Sequence, residues 1–282
     1  MKALTTGYGL VEGPVWDEAK GLYFSDVLNG GVYLIDRSDK VSLVVPKRRG
    51  IGGMALHAAG GLVVGGRDIA FIDLGNGRTK VLLTSDVTPG AIGFNDLTTD
   101  AQGRIYVGSL AFRVFQEDPK PGHLHVIDLD GGVRTISDGI LLTNGLGFSP
   151  DGKRLYHSDA RGGLIRVYDV RADGSVGPWR KFATLGEEGV ADGLKVAGDG
   201  SVWVADARGS RVAVFETDGR HRKDIAVPLP MVTSVCFGGA DLRDLYIVTG
   251  SHGGPHENCG TVFRTRADVP GLPVAKARVA VT

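Results

Sequence analysis

Long apolar runs are missing from this sequence of 282 residues. No stretch approaches the roughly 20 residues that span a bilayer, and the opening Met1-Lys2-Ala3-Leu4-Thr5-Thr6-Gly7 lacks the apolar core of a secretory signal. Cysteine is almost as scarce. Cys236 and Cys259 are too few for a disulfide framework and lack the paired spacing of a zinc site, so a reduced, cytoplasmic setting is expected. Neither sign of charge is in excess: 32 Lys plus Arg face 32 Asp plus Glu. That removes the basic footprint of a nucleic-acid binder or of a partner for anionic membranes, and leaves a small molecule as the expected partner. No segment of ten or more residues carries convincing helical periodicity, which disfavours an α/β fold. P-loop and dinucleotide fingerprints are absent as well.

Glycine is in surplus. The chain has 44 in 282, about 16% against an average of roughly 7%, without a collagen period, which means many turns. Between the turns one phrase recurs: a polar residue, a small residue, a short apolar run, a turn with Asp or Gly, then an alternating strand. Its copies begin at Glu12, Gly52, Asn95, Asn144, Asp192 and Thr233, 40 to 49 residues apart. Each copy continues into a third alternating run, as in Val32-Tyr33-Leu34-Ile35-Asp36 and Val212-Ala213-Val214-Phe215-Glu216, and most into a short fourth. Period-two alternation between turn residues reads as strand, and four strands per repeat at this spacing read as one propeller blade. The expected fold is therefore all-β, a single six-bladed propeller domain over residues 1–282. Two segments compete to close the ring, Ala3-Leu4-Thr5-Thr6 and Ala275-Lys276-Ala277-Arg278-Val279.

In a propeller the first strand of every blade lines the central channel, so the six starting residues face one another. That register holds two carboxylates and two carboxamides and no lysine or arginine. Converging oxygen donors are costly to bury unless a cation satisfies them, and an all-oxygen set suits Ca²⁺ or Mg²⁺, with Zn²⁺ or Mn²⁺ as alternatives. Turn and bulge roles are the competing reading, since Asn and Asp favour both. The same competition applies to Asp26, Asp159 and Asp206, which end second strands; their recurrence across blades favours turn capping. The loops between second and third strands share a face with this register. The longest early one, Leu110 to Pro121, carries Phe112, Arg113 and Phe115 and reads as a partial lid. On the same rim, Ser251 to Cys259 contains His252 and His256, candidates for substrate contact. His57, His125, His157 and His221 fall in or beside strands and read as packing or surface residues.

Four stretches in order at blade spacing carry a resemblance that spans the whole chain: Glu12-Gly13-Pro14-Val15-Trp16, Phe94-Asn95-Asp96, Asn144-Gly145-Leu146-Gly147-Phe148-Ser149-Pro150-Asp151-Gly152, and Asp192-Gly193-Leu194 followed by Gly200-Ser201-Val202-Trp203-Val204-Ala205. They resemble the regucalcin and gluconolactonase (senescence marker protein) family of six-bladed propellers with one divalent cation in the channel. The resemblance implies Glu12, Asn144 and Asp192 as metal ligands, Ca²⁺ foremost, and Asn95 beside substrate or a metal-bound water. Sugar-lactone members often carry Arg immediately before Phe-Asn-Asp; here the residue is Gly93, which points to weak activity on gluconolactone relative to a less polar lactone.

These readings lead to a metal-dependent hydrolase of a small lactone or related cyclic ester. Asp192 and Asn95 are the expected catalytic residues, and Asn95, Phe112, Arg113 and His252 the expected substrate contacts. The alternatives are non-hydrolytic carbonyl chemistry at the same metal, and a non-catalytic propeller that binds a small ligand and keeps a structural ion.

Overall fold

A computed structural model of the chain describes residues 1–114 and 116–281. Its strands form six separate four-stranded sheets, each one of the repeats identified above, arranged as a six-bladed β-propeller. The first blade runs Val11–Asp17, Gly21–Asp26, Val32–Asp36 and Val41–Val45 from the inside outward. The inner strands of the next five are Met54–Leu56, Gly93–Thr99, Thr143–Phe148, Ala191–Val196 and Val232–Gly238. No helix among the described residues is long and apolar enough to cross a membrane.

The alternation that marked the strands is explained by their position in a blade. Second strands such as Gly21–Asp26 and Val202–Asp206 are buried throughout, because both faces pack on neighbouring blades. Outer strands such as Val133–Ile140 are covered on one side only, and exposed and half-buried positions alternate along Val133–Ile136. The apolar side chains gather between blades: Trp203 and Val214 of the fifth meet Val235, Phe237 and Ile247 of the sixth in one such cluster.

Of the two candidates for closing the ring, the N-terminal one does so. Lys2–Tyr8 pairs antiparallel with Gly260–Arg266 as the outer strand of the last blade. The chain passes directly from this strand into the innermost strand of blade one. Tyr8 packs edge-on against Phe24 at 5.1 Å and Tyr33 at 5.2 Å, joining first and last blades. The C-terminal segment instead crosses the mouth of the channel at the C-terminal ends of the inner strands, here the lower mouth. Gly271 N donates to Leu242 O and Leu272 N to Val196 O on one side, and Ala277 N to Leu56 O and Arg278 N to Gly103 O on the other.

Asp26, Asp159 and Asp206 are turn caps. Asp26 accepts from the backbone N–H groups of Gly9, Leu28 and Asn29, and Asp159 from those of Leu141, Leu142 and Gly162. Asp206 accepts from Val190 and Arg208. The recurrence across blades is a repeated solution to one problem, the unmet donors where a second strand turns.

His57, His125 and His157 are buried, whereas His221 is exposed with Nε2 2.8 Å from Asp224 Oδ1. Burial, followed by the charge of Arg166, pushes His157 down to about 3, so the folded protein keeps this ring neutral. The unfolded chain takes up the proton near pH 6.5, and the stability due to neutral His157 is complete above that pH and lost as pH falls toward 3. His157→Gln is therefore expected to lose less stability than the parent between pH 7 and pH 4.5. Urea midpoints at the two pH values check this; equal losses would remove His157 from the acid response.

Candidate active site

The upper mouth is built from a defect in the strand ladder that occurs in most blades. Register shifts break the pairing of inner with second strand between Glu12 and Val15, Phe94 and Leu97, Thr143 and Leu146, and Ala191 and Leu194. A bulge interrupts alternation and re-aims the side chains within it. Asn95, Asn144 and Asp192 sit in these interruptions, and Glu12, paired with Ser25, is the last residue before the interruption of its own strand. The glycine that follows three of them has a packing reason. A Cβ on Gly145 would collide with the backbone of Gly193 and Leu194, and one on Gly193 with Ser234, so these glycines let neighbouring inner strands close around the axis. Blade two pairs without interruption over Met54–Leu56 and contributes Gly52 instead.

Glu12, Asn144 and Asp192 are 9%, 7% and 7% exposed, low enough that bulk water does not compensate their polar groups. Asn95 Nδ2 donates to Asn144 Oδ1 at 2.5 Å and to Thr143 O at 2.8 Å, which commits both of its amide protons. Reversing that amide would set its oxygen against two acceptors, so the network itself orients it. Asn95 Oδ1 is left turned toward Gly52, where an added Cβ would collide with it. Gly52→Ala is expected to displace Asn95 and cut turnover by at least tenfold while the fold persists. Steady-state kinetics with circular dichroism checks it, and unchanged kinetics would remove Asn95 from the reaction.

Burial and the charges of Asp192 and Asp96 push Glu12 well above the usual carboxylate range, against smaller opposing effects of the Gly13 N–H and Lys195. Asp192 is likewise raised, first by burial and then by Asp96. Burial brings Asp96 up to about 6, opposed by Lys195. Three carboxylates therefore repel one another in a poorly solvated space, and no ion pair among the described residues involves any of them or Lys195. Asp96 and Lys195 are additions to the starting register. Alternation in the sequence did not reveal them: the bulge between Ala191 and Leu194 shifts the alternation and returns Lys195 to the channel side, and Asp96 stands next to Asn95.

Among the described residues no three His, Cys, Asp or Glu side chains are gathered closely enough to hold a metal by themselves. Any cation site here must include carboxamide oxygen, as Glu12, Asn144 and Asp192 together provide. Thr233, the sixth member of the register, spends its hydroxyl on Val11 O and Val248 O at 2.5 and 3.1 Å. On the rim, Phe112 is 1% exposed and anchors its loop, while Arg113 is exposed with Nη1 3.4 Å from Glu117 Oε1. Phe115 lies outside the described residues. His252 and His256 are exposed on the loop of the last blade, and both cysteines are free and buried.

Residues 10–251 match the model of the SMP-30/Gluconolactonase/LRE-like region. The chain belongs to this family. Among family relatives, it is 29% identical to a pentonolactonase of Haloferax volcanii over 99% of this chain and 98% of the relative. It is 31% identical to a 6-deoxy-6-sulfogluconolactonase of Pseudomonas putida, over 93% and 92% of the two chains. Among solved structures, a luciferin-regenerating enzyme superposes with a TM-score of 0.88 at 25% identity, covering 98% of this chain and 97% of the other.

Proposed function

We propose that the protein hydrolyses small lactones, sugar lactones first, at the upper mouth of its channel with the help of a divalent cation. The observation that supports this reading is that Glu12, Asn144 and Asp192, at or within the interruptions of their inner strands, are buried without a cationic partner in contact. Their hard oxygen donors fit a cation such as Ca²⁺, whose positive charge would offset the repulsion among the carboxylates. When bound by Glu12, Asn144 and Asp192, such an ion supplies electrophilic polarisation of the lactone carbonyl.

The remaining steps fall to the chain. With both amide protons of Asn95 committed, its Oδ1 is the atom that accepts a hydrogen bond, from a substrate hydroxyl or the attacking water. Asp192 takes a proton from that water as the new C–O bond forms at the carbonyl carbon. The ring C–O bond then breaks, and the proton is returned to the leaving alkoxide, giving a hydroxy acid.

Sugar lactones come first because two relatives are named for them. Gly93 had pointed toward a less polar substrate. A local packing constraint accounts for the glycine instead: Phe94 N donates to Gly66 O at 2.7 Å, and a Cβ at residue 93 would lie only 3.0 Å from that same oxygen. The exposed Arg67 is next in the chain and takes over the cationic contact in this proposal.

A lactone panel tests the reading with chelator-stripped protein reloaded with Ca²⁺, Mg²⁺, Mn²⁺ or Zn²⁺. The expected result is metal-dependent ring opening, fastest on a pentono- or gluconolactone. Tight metal binding with no turnover of any lactone would leave a structural ion and a ligand-binding rim.

A further inference from the structure

The lower half of the channel holds a cavity of about 300 Å³ beneath the inner strands. Its walls are mostly apolar, with Trp16, Met54, Leu97 and Phe237 among them; the exposed Glu18 and Lys276 stand at its edge, and the C-terminal strap from Leu272 to Lys276 lines it from below. The volume is at the small end of the range for small-molecule sites. Two of its lining residues carry polar groups without a match. The ammonium of Lys195 forms no hydrogen bond or ion pair among the described residues: Glu12 and Asp96 feel its charge from above, but neither comes within ion-pair distance. The indole nitrogen of Trp16 is buried and has no hydrogen-bond partner. Native proteins rarely leave a buried N–H such as that of Trp16 unmatched, and the half-buried Lys195 beside it adds a positive charge to the same wall.

We propose that this cavity is a second ligand site, for a small organic carboxylate whose head group lies on Lys195 and whose apolar body lies against Trp16, Met54, Leu97 and Phe237. A mostly apolar chamber with the half-buried Lys195 at its inner end, and its other charges, Glu18 and Lys276, exposed at the edge, selects a molecule with one anionic end. An inorganic anion would leave the walls uncovered, and a neutral apolar molecule would leave the ammonium unmatched. The site lies at the end of the channel opposite the upper mouth, and Lys195, whose charge also reaches Glu12 and Asp96, is its link to the carboxylates there.

Isothermal titration calorimetry on the full chain in chelator, with hexanoate, 1-hexanol and inorganic phosphate as probes, tests the proposal. Hexanoate should bind saturably at one site per chain, at least tenfold more tightly than either of the others. Lys195→Met, which keeps bulk and removes charge, should weaken hexanoate at least tenfold and leave 1-hexanol unchanged. Ala240→Trp, at the exposed edge of the cavity, fills space without altering charge and should also weaken hexanoate, so the test survives if the lysine variant fails to fold. The proposal is overturned by absence of saturable hexanoate binding. It is equally overturned by equal affinity for 1-hexanol, equal affinity for phosphate, or hexanoate affinity unmoved by either variant.

Discussion

Asp192→Asn is expected to lower lactone turnover by about 10²- to 10⁴-fold at saturating metal, the range typical for loss of a positioned general base. The substitution keeps the size of the side chain and one oxygen donor while removing its charge and basicity. Its site is preserved by features the substitution does not touch: the bulge after Ala191, and the close approach of Gly193 to Ser234. Glu12→Gln provides the contrast. In the proposed mechanism Glu12 only holds the cation, so this variant should bind metal more weakly and recover much of its activity when metal is raised. Kinetics across a metal titration separates the two. If saturating metal restores both variants alike, Asp192 is a ligand and nothing more. If both keep activity and lose only thermal stability, the ion is structural.

Removing the carboxylate of Asp159 is the largest expected blow to folding. Asp159 and Arg166 are 1% and 4% exposed and meet at 2.7 Å, and Arg166 also donates to the carbonyls of Asp138 and Gly139. Asp159→Ala strands a buried guanidinium and three backbone N–H groups together. The cost of breaking a buried pair from one side is about 3–5 kcal/mol. A fall in Tm of the order of 10 °C follows for a chain of this size. Adding Arg166→Met to Asp159→Ala should recover part of the loss, because the double change removes the unpaired charge itself. Thermal melts of the single and double variants decide it; a double variant no better than Asp159→Ala would place the cost in the lost turn cap.

The blade count, the strand positions and the turn role of Asp26, Asp159 and Asp206 were all legible because they depend on local chemistry repeated six times. Alternation sets a strand, glycine and Asp set a turn, and repetition averages out the irregularities of any one copy. The candidate residues Glu12, Asn95, Asn144 and Asp192 were legible for the same reason, as the polar residue at one position of a repeat. Lys195 was hidden because a bulge, invisible in composition, changes which residues face the channel. Asp96 was hidden because it stands next to a residue already assigned to that side.

What the sequence by itself determined is the repeat and hence the propeller: each blade carries its own alternation, and no blade can bury its apolar faces except against another. Three things were decided only by tertiary structure, each by contacts between residues far apart in the chain. Closure by Lys2–Tyr8 rather than by 275–279 rests on pairing with Gly260–Arg266, and the sequence left both segments as candidates. The direction in which Asn95 presents its oxygen depends on Asn144 and Thr143 in the next blade. The lower cavity exists because the C-terminal segment, left without an edge to pair with, hydrogen-bonds on both sides of the lower mouth and spans it. Local periodicity is a property of neighbours in sequence, whereas these three depend on which distant groups first satisfy a donor, an acceptor or a strand edge.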